Sequence, residues 1–127
     1  MIRIASSVAT AAFALALAGC SSMMTAPAGV QAKDGALTGP NGMTLYTFDR
    51  DTAGSGKSVC NGQCATNWPP LMSGNATPTG DYSVVRRDDG SSQLAYKGKP
   101  LYYWVKDAKP GDRTGDGVNQ VWHTAKP

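Results

Sequence analysis

Four sets of side chains in this chain of 127 residues have the type and spacing to do chemistry. Cys60 and Cys64 stand four apart, C-x₃-C, where thioredoxin-like redox centres use C-x₂-C inside a βαβ unit and c-type haem attachment needs a following His. No βαβ pattern surrounds them and Ala65 follows, so a structural disulfide is expected. His123 is the sole histidine. Catalytic zinc needs three protein ligands, and its Cys and His partners are missing. Acid–base work with Asp107 or Asp116 lacks a nucleophile signature nearby, which leaves a structural or surface histidine. Asp112, Asp116 and Asn119 have carboxylates and an amide in a glycine-rich loop, but D-x-x-x-D-x-x-N misses the alternating ligands and bidentate Glu of an EF-hand. Gly54-Ser55-Gly56-Lys57-Ser58 resembles a phosphate loop only in part. The glycine that G-x-x-x-x-G-K-[ST] requires six places before Lys57 falls at Asp51. The expectation is therefore no metal, no cofactor and no enzyme.

The elements that hold these residues begin after an address. Arg3 is followed by an apolar run from Ile4 to Leu17, and Leu17-Ala18-Gly19-Cys20 closes it with small residues. That tetrapeptide matches the bacterial lipobox, so residues 1–19 read as a signal peptide and Cys20 as the lipid-attachment site. The run is too short to span a bilayer. Several acyl chains make attachment stable, at about 0.8 kcal/mol per buried CH₂. Ser21 next to the cysteine, rather than Asp, favours the outer membrane in a Gram-negative source. Residues 20–33 form a flexible tether; Met23 and Met24 within it have no His or Cys beside them to make a copper site.

Removing residues 1–19 leaves 108 residues (127 − 19), one small domain, with net charge +2 (11 basic, 9 acidic). The basic residues are scattered, which argues against a nucleic-acid partner. With Cys20 lipidated, Cys60 and Cys64 remain to pair in an oxidising compartment. A bridge closing so short a loop contributes on the order of 2 kcal/mol. After Cys20 the chain has no Ile and no Glu but many Gly, Pro, Asp, Tyr and Trp. Short strands and turns are expected rather than long helices.

One stretch occurs twice. Gly42-Met43-Thr44-Leu45-Tyr46-Thr47-Phe48-Asp49-Arg50-Asp51 returns as Gly98-Lys99-Pro100-Leu101-Tyr102-Tyr103-Trp104-Val105-Lys106-Asp107, giving G-x-x-L-Y-x-[FW]-x-x-D. Each copy leads through a glycine-rich loop to a tryptophan, Trp68 and Trp122. A match of this kind predicts two related units, about 34–72 and 81–125 within a domain spanning 34–126. Tyr46 with Phe48, and Tyr102 with Trp104, share a strand face. Leu101, Tyr103 and Val105 make the opposite face apolar as well, which predicts a central strand. Asp51 and Asp107 fall just beyond, where Asp51-Thr52-Ala53-Gly54 has the residues of a type I turn whose first carboxylate accepts backbone N–H groups. The motif reads as aromatic core plus turn cap. Hairpin signals surround it: Ala36–Thr38 and Met43–Phe48 flank Gly39-Pro40-Asn41-Gly42, and Tyr82–Arg86, Gln93–Tyr96 and Leu101–Val105 form a meander. Val118–Thr124 is a last strand.

With these residues laid out, the chain resembles the predicted bacterial lipoproteins carrying a Y-x-[FWY]-x-x-D motif, the secreted-repeat lipoproteins. Tyr46, Phe48 and Asp51, then Tyr102, Trp104 and Asp107, supply both motif copies, and Cys60, Cys64 and Trp68-Pro69-Pro70-Leu71 are similar to that family's first repeat. The resemblance implies a family without an established biochemical activity, with an association with uptake of hydrophobic substrates such as alkanes. The expected protein is an all-β, small antiparallel domain of two repeat units with long Gly/Pro-rich loops. It is anchored to a membrane through lipid, faces the periplasm or exterior, and binds an envelope protein or an apolar or sugar ligand. The alternative is a thiol/disulfide role for Cys60 and Cys64.

Overall fold

A computed structural model describes residues 29–127. Cys20, Met23, Met24 and the signal peptide lie outside the described residues. The fold is all-β, built from short antiparallel pairs. Strands β1 (Gln31–Lys33) and β2 (Ala36–Thr38) form a hairpin; β3 (Tyr46–Phe48) pairs with β7 (Trp122–Thr124); β4 (Tyr82–Arg86), β5 (Ser92–Tyr96) and β6 (Lys99–Pro100) form a meander. One short helix, α1 (Gln63–Asn67), and a 3₁₀ turn at Val118–Gln120 lie between them.

Three local expectations change. Residues Gln31–Lys33, assigned above to the tether, pair with β2 through the two-residue turn Asp34-Gly35, whose φ angles are both positive. Asp-Gly is a strong dipeptide for such a turn. The span Leu101–Val105 does not run as one strand. Tyr102 bridges Tyr46 on one side and Pro70 on the other, as a central position should, but the chain turns after Trp104 and leaves Val105 half exposed. The last strand also starts late, because Asn119 and Gln120 take positive φ and coil the backbone before Trp122.

The hydrogen bonds around the two motif strands repeat in pairs. Tyr46 N–H donates to Tyr102 C=O (2.8 Å) and Tyr102 N–H returns to Tyr46 C=O (3.0 Å). Leu45 N–H bonds Leu37 C=O as Leu101 N–H bonds Leu94 C=O. Leu37 N–H bonds Ala125 C=O as Leu94 N–H bonds Leu71 C=O, and Ala125 and Leu71 bond back to Leu45 and Leu101. These matched pairs define an approximate two-fold between Tyr46 and Tyr102. They also show an exchange: the strand after Trp68, from the first repeat, completes the unit around Tyr102, and the strand after Trp122, from the second, completes the unit around Tyr46. Neither repeat closes its own three-stranded unit.

Alternation then sorts the side chains into two layers. Leu45 and Leu101 join Val30, Leu37, Leu71, Leu94 and Ala125 on one side; Tyr46 and Tyr102 join Phe48, Cys60, Trp68 and Trp122 on the other. The adjacent Leu-Tyr of the motif therefore buries both faces of a central strand. The motif glycine is also explained. Gly42 and Gly98 both have φ of +81°, and a Cβ on Gly98 would stand 2.6 Å from the Gly54 backbone nitrogen, so only glycine fits.

Candidate functional site

The aromatic layer is a stack of four rings running Phe48, Trp122, Trp68, Trp104, with centroid separations of 4.2, 3.8 and 3.9 Å. Tyr46 meets Trp68 edge-on at 5.4 Å and Tyr102 meets Trp122 edge-on at 5.1 Å. Edge-on and offset stacked contacts are the favourable arrangements for aromatic quadrupoles. The pseudo-two-fold passes between the two central indoles. Gly115 closes the stack, since a Cβ there would meet Trp68 at 2.8 Å and Trp104 at 3.0 Å.

The motif aspartates do not cap their own turns. Tyr46 Oη donates to Asp107 Oδ2 and Tyr102 Oη to Asp51 Oδ2, both at 2.6 Å. Each tyrosine thus reaches the aspartate of the other copy. The remaining oxygens pin loops: Asp51 Oδ1 accepts Val59 N–H at 2.8 Å, and Asp107 Oδ1 accepts the N–H and hydroxyl of Thr114 at 2.9 and 2.6 Å. The turn cap expected at Asp51 gives way because a buried carboxylate binds most strongly to a phenol and an amide that water cannot reach. Burial, then the hydrogen bond to the carboxylate, pushes both tyrosine pKa values well above the ordinary phenol. Burial also raises Asp51, against the opposing effects of its hydrogen bonds from Tyr102 and Val59 and the charge of Arg87.

Arg87, Gln93 and Ser58 carry a part the sequence does not announce. Arg87 is buried, and its guanidinium donates to Ser58 Oγ (3.0 Å), Gln93 Oε1 (2.8 Å), Cys60 C=O (2.6 Å) and Asn61 Oδ1 (3.1 Å). Gln93, wholly buried, passes the chain on to Leu101 C=O at 2.7 Å. Ser58 Oγ lies 2.5 Å from Tyr102 Oη, joining this network to the Tyr102–Asp51 pair. In the sequence, Arg86-Arg87-Asp88-Asp89 has the look of a solvated charged turn, so no signal marks Arg87 as the one turned inward.

Cys60 and Cys64 are joined in a disulfide, Cys60 fully buried among the aromatic rings and Cys64 half-buried. His123 is half-exposed; its Nε2 lies 2.8 Å from Asp49 Oδ2 and is bonded to neither Asp107 nor Asp116. Asp112 is spent on the Lys109 ammonium, Ala108 N–H and Lys109 N–H, which draw its pKa down, and Asp116 accepts Thr124 N–H. The glycine-rich Gly54–Ser58 stretch docks on Gly98 through Gly54 N–H. Among the described residues no cluster of three His, Cys, Asp or Glu is placed to hold a metal ion. An open cleft of about 480 Å³ is lined by His123 and Lys126 together with Tyr96, Lys97 and Lys99.

Two interlocked copies of one aromatic motif, in a small antiparallel fold, define a repeat protein whose motif residues are structural. The chain belongs to the family described as a secreted repeat of unknown function (Lipoprotein_15), whose model matches residues 28–72 and 83–126. Membership assigns it to the extracellular side or the cell envelope, and no described helix is long and apolar enough to cross a membrane. No curated protein and no solved structure matches the chain.

Proposed function

We propose that this chain is a lipid-anchored, non-catalytic binding module of the cell envelope. The observation that carries the reading is the internal use of the motif. Tyr46, Phe48, Tyr102, Asp51 and Asp107 are buried and satisfied by one another across the two-fold, so the groups with the sharpest chemistry are committed to scaffold. The surface is left to recognise something. The anchor rests on the lipobox ending at Cys20, with family membership supporting export. Ser21 favours the outer membrane, facing the periplasm, in a Gram-negative source.

Burial of Cys60 supports a structural disulfide over a redox role, since thiol exchange needs access to sulfur. Of the motif rings, Tyr46, Phe48 and Tyr102 are buried and Trp104 is half-exposed, which speaks against the motif as the seat of an apolar ligand such as an alkane. Intact mass of the mature protein and membrane fractionation test the anchor: Cys20→Ala should lose the acyl mass and leave the membrane. A variant that stays membrane-bound without acyl mass overturns the anchor. Turnover of a chromogenic ester or glycoside that disappears in His123→Ala would overturn the non-catalytic half.

A further inference from the structure

Resting on the binding reading above, we propose that the open cleft beside His123 is a site for an anionic carbohydrate, a sugar bearing carboxylate or phosphate. Its volume, about 480 Å³, is within the range of ligand sites and holds one or two sugar units. Three lysines line it: Lys97 in the turn between β5 and β6, Lys99 at the start of β6, and Lys126 after β7. None of the three forms an ion pair among the described residues. The two carboxylates there already have partners, Asp49 with His123 and Asp116 with Thr124 N–H. Each keeps a second oxygen that can accept from sugar hydroxyls. Tyr96, half-buried, packs on Tyr82 at 4.9 Å between ring centroids and carries Lys97 Nζ over its ring at 5.2 Å, which holds that ammonium at the cleft.

Lys97 holds the first position of the turn between β5 and β6. It has φ of +51° in a two-residue turn before Gly98, a conformation easier for Asn, Asp or Gly than for lysine. The equivalent kind of turn between β1 and β2 uses Asp34-Gly35. The anion would meet the lysines, and the hydroxyls would meet Asp49, His123 and Asp116.

The test uses the full chain in detergent micelles, with amide NMR spectra recorded during titration by trigalacturonate, by neutral maltotriose, and by vesicles containing lipopolysaccharide. Trigalacturonate should shift the amides of Lys97, His123 and Lys126, more weakly as salt rises. Lys99→Gln/Lys126→Gln, both at exposed positions, should weaken it about fivefold with the free-protein spectrum otherwise retained. Lys97→Asn should raise Tm while weakening binding, a pairing that a merely structural lysine would not give. Shifts from the vesicles at the same amides locate the sugar on a membrane glycolipid; shifts from trigalacturonate alone locate it on a free or wall polysaccharide. No shift with either anionic probe, equal binding of maltotriose, or unchanged affinity in the double variant overturns the proposal. Shifts on another face would also overturn it while retaining a binding module, and cleavage of trigalacturonate at this cleft would support the site while removing the non-catalytic reading.

Discussion

Around Tyr102 and around Tyr46 the same backbone pattern is closed in two different ways. At Tyr102 the hydroxyl bonds Asp51 and lies against Ser58, and behind it stand Arg87, Gln93, the disulfide and α1. At Tyr46 the hydroxyl bonds Asp107 and accepts from Gly115 N–H at 3.2 Å, with only Thr114 and backbone beyond. What both halves share is what the fold needs: a Leu-Tyr pair for two layers, a second aromatic, a crossed aspartate, and a tryptophan on an exchanged strand. What one half adds follows from its longer loop. Residues 52–67 must be held down over the stack, and a buried guanidinium plus a cystine hold them. The shorter loop opposite turns tightly on Gly115 and needs neither.

That contrast is broken most sharply at Arg87. Arg87→Ala removes four hydrogen bonds and leaves Gln93 Oε1 and Cys60 C=O without a donor, so a loss of about 3–5 kcal/mol is expected by chemical denaturation. Thr114→Ala, which removes the hydroxyl bonded to Asp107 in the other half, should cost only about 1 kcal/mol. Equal losses would mean the halves are held alike. Next comes the disulfide. Cys60→Ser/Cys64→Ser, or reductant on the native chain, should cost about 2 kcal/mol and loosen the 52–67 loop in hydrogen exchange while the Asp107–Gly117 loop keeps its protection. Loosening of both loops together would show that the two ends unfold as one.

The crossed pairs give a smaller and more symmetrical effect. Tyr46→Phe and Tyr102→Phe keep the edge-on ring contacts but orphan a buried carboxylate oxygen, at about 1–3 kcal/mol each. Because both hydroxyls sit beside the same two-fold, the double variant should differ from the sum of the singles. Strict additivity would mean that the two pairs are independent rather than one clasp.

The parts legible in the sequence were those set by local pattern. The doubled G-x-x-L-Y-x-[FW]-x-x-D gives two units, alternation places Tyr46 with Phe48 and Tyr102 with Trp104 in one layer, and the meander from Tyr82 to Tyr96 follows from its turns. The exchange of the Trp68 and Trp122 strands was not legible, because two similar segments satisfy the same pairing rules in either partner and only loop reach decides. The crossed Tyr–Asp bonds depend on that exchange and so were hidden with it. Arg87 was hidden for another reason: charge pattern alone cannot tell which of two neighbouring arginines a turn directs inward. The short helix at Gln63–Asn67 has no hydrophobic period and no buried residue; it starts at Gly62 beside the Cys60–Cys64 bridge and ends at Trp68, whose N–H bonds Cys64 C=O at 2.8 Å.

Alkali and mild acid give the finest comparison, through the raised tyrosines of both halves and the raised Asp51 at the Tyr102 end. Tyr46 and Tyr102 are raised above the ordinary phenol, burial being the largest cause. Their contribution is full below the unfolded value of about 10 and is lost as pH rises through the native values, because the unfolded chain then releases protons that the native chain retains. Stability should therefore fall above about pH 10, and Tyr46→Phe and Tyr102→Phe should each remove one proton from that slope, equally. Asp51 is also raised, chiefly by burial. Its contribution is present below the unfolded carboxylate value and is lost as pH rises through the native one, opposite to the usual aspartate. Asp51→Asn should flatten stability between its unfolded and native values, as measured by urea midpoints across mildly acidic buffers. A steeper acid loss in the wild type than in Asp51→Asn would mean that Arg87 and the two hydrogen bonds outweigh burial, and that the Tyr102 end is electrostatically stabilised rather than strained.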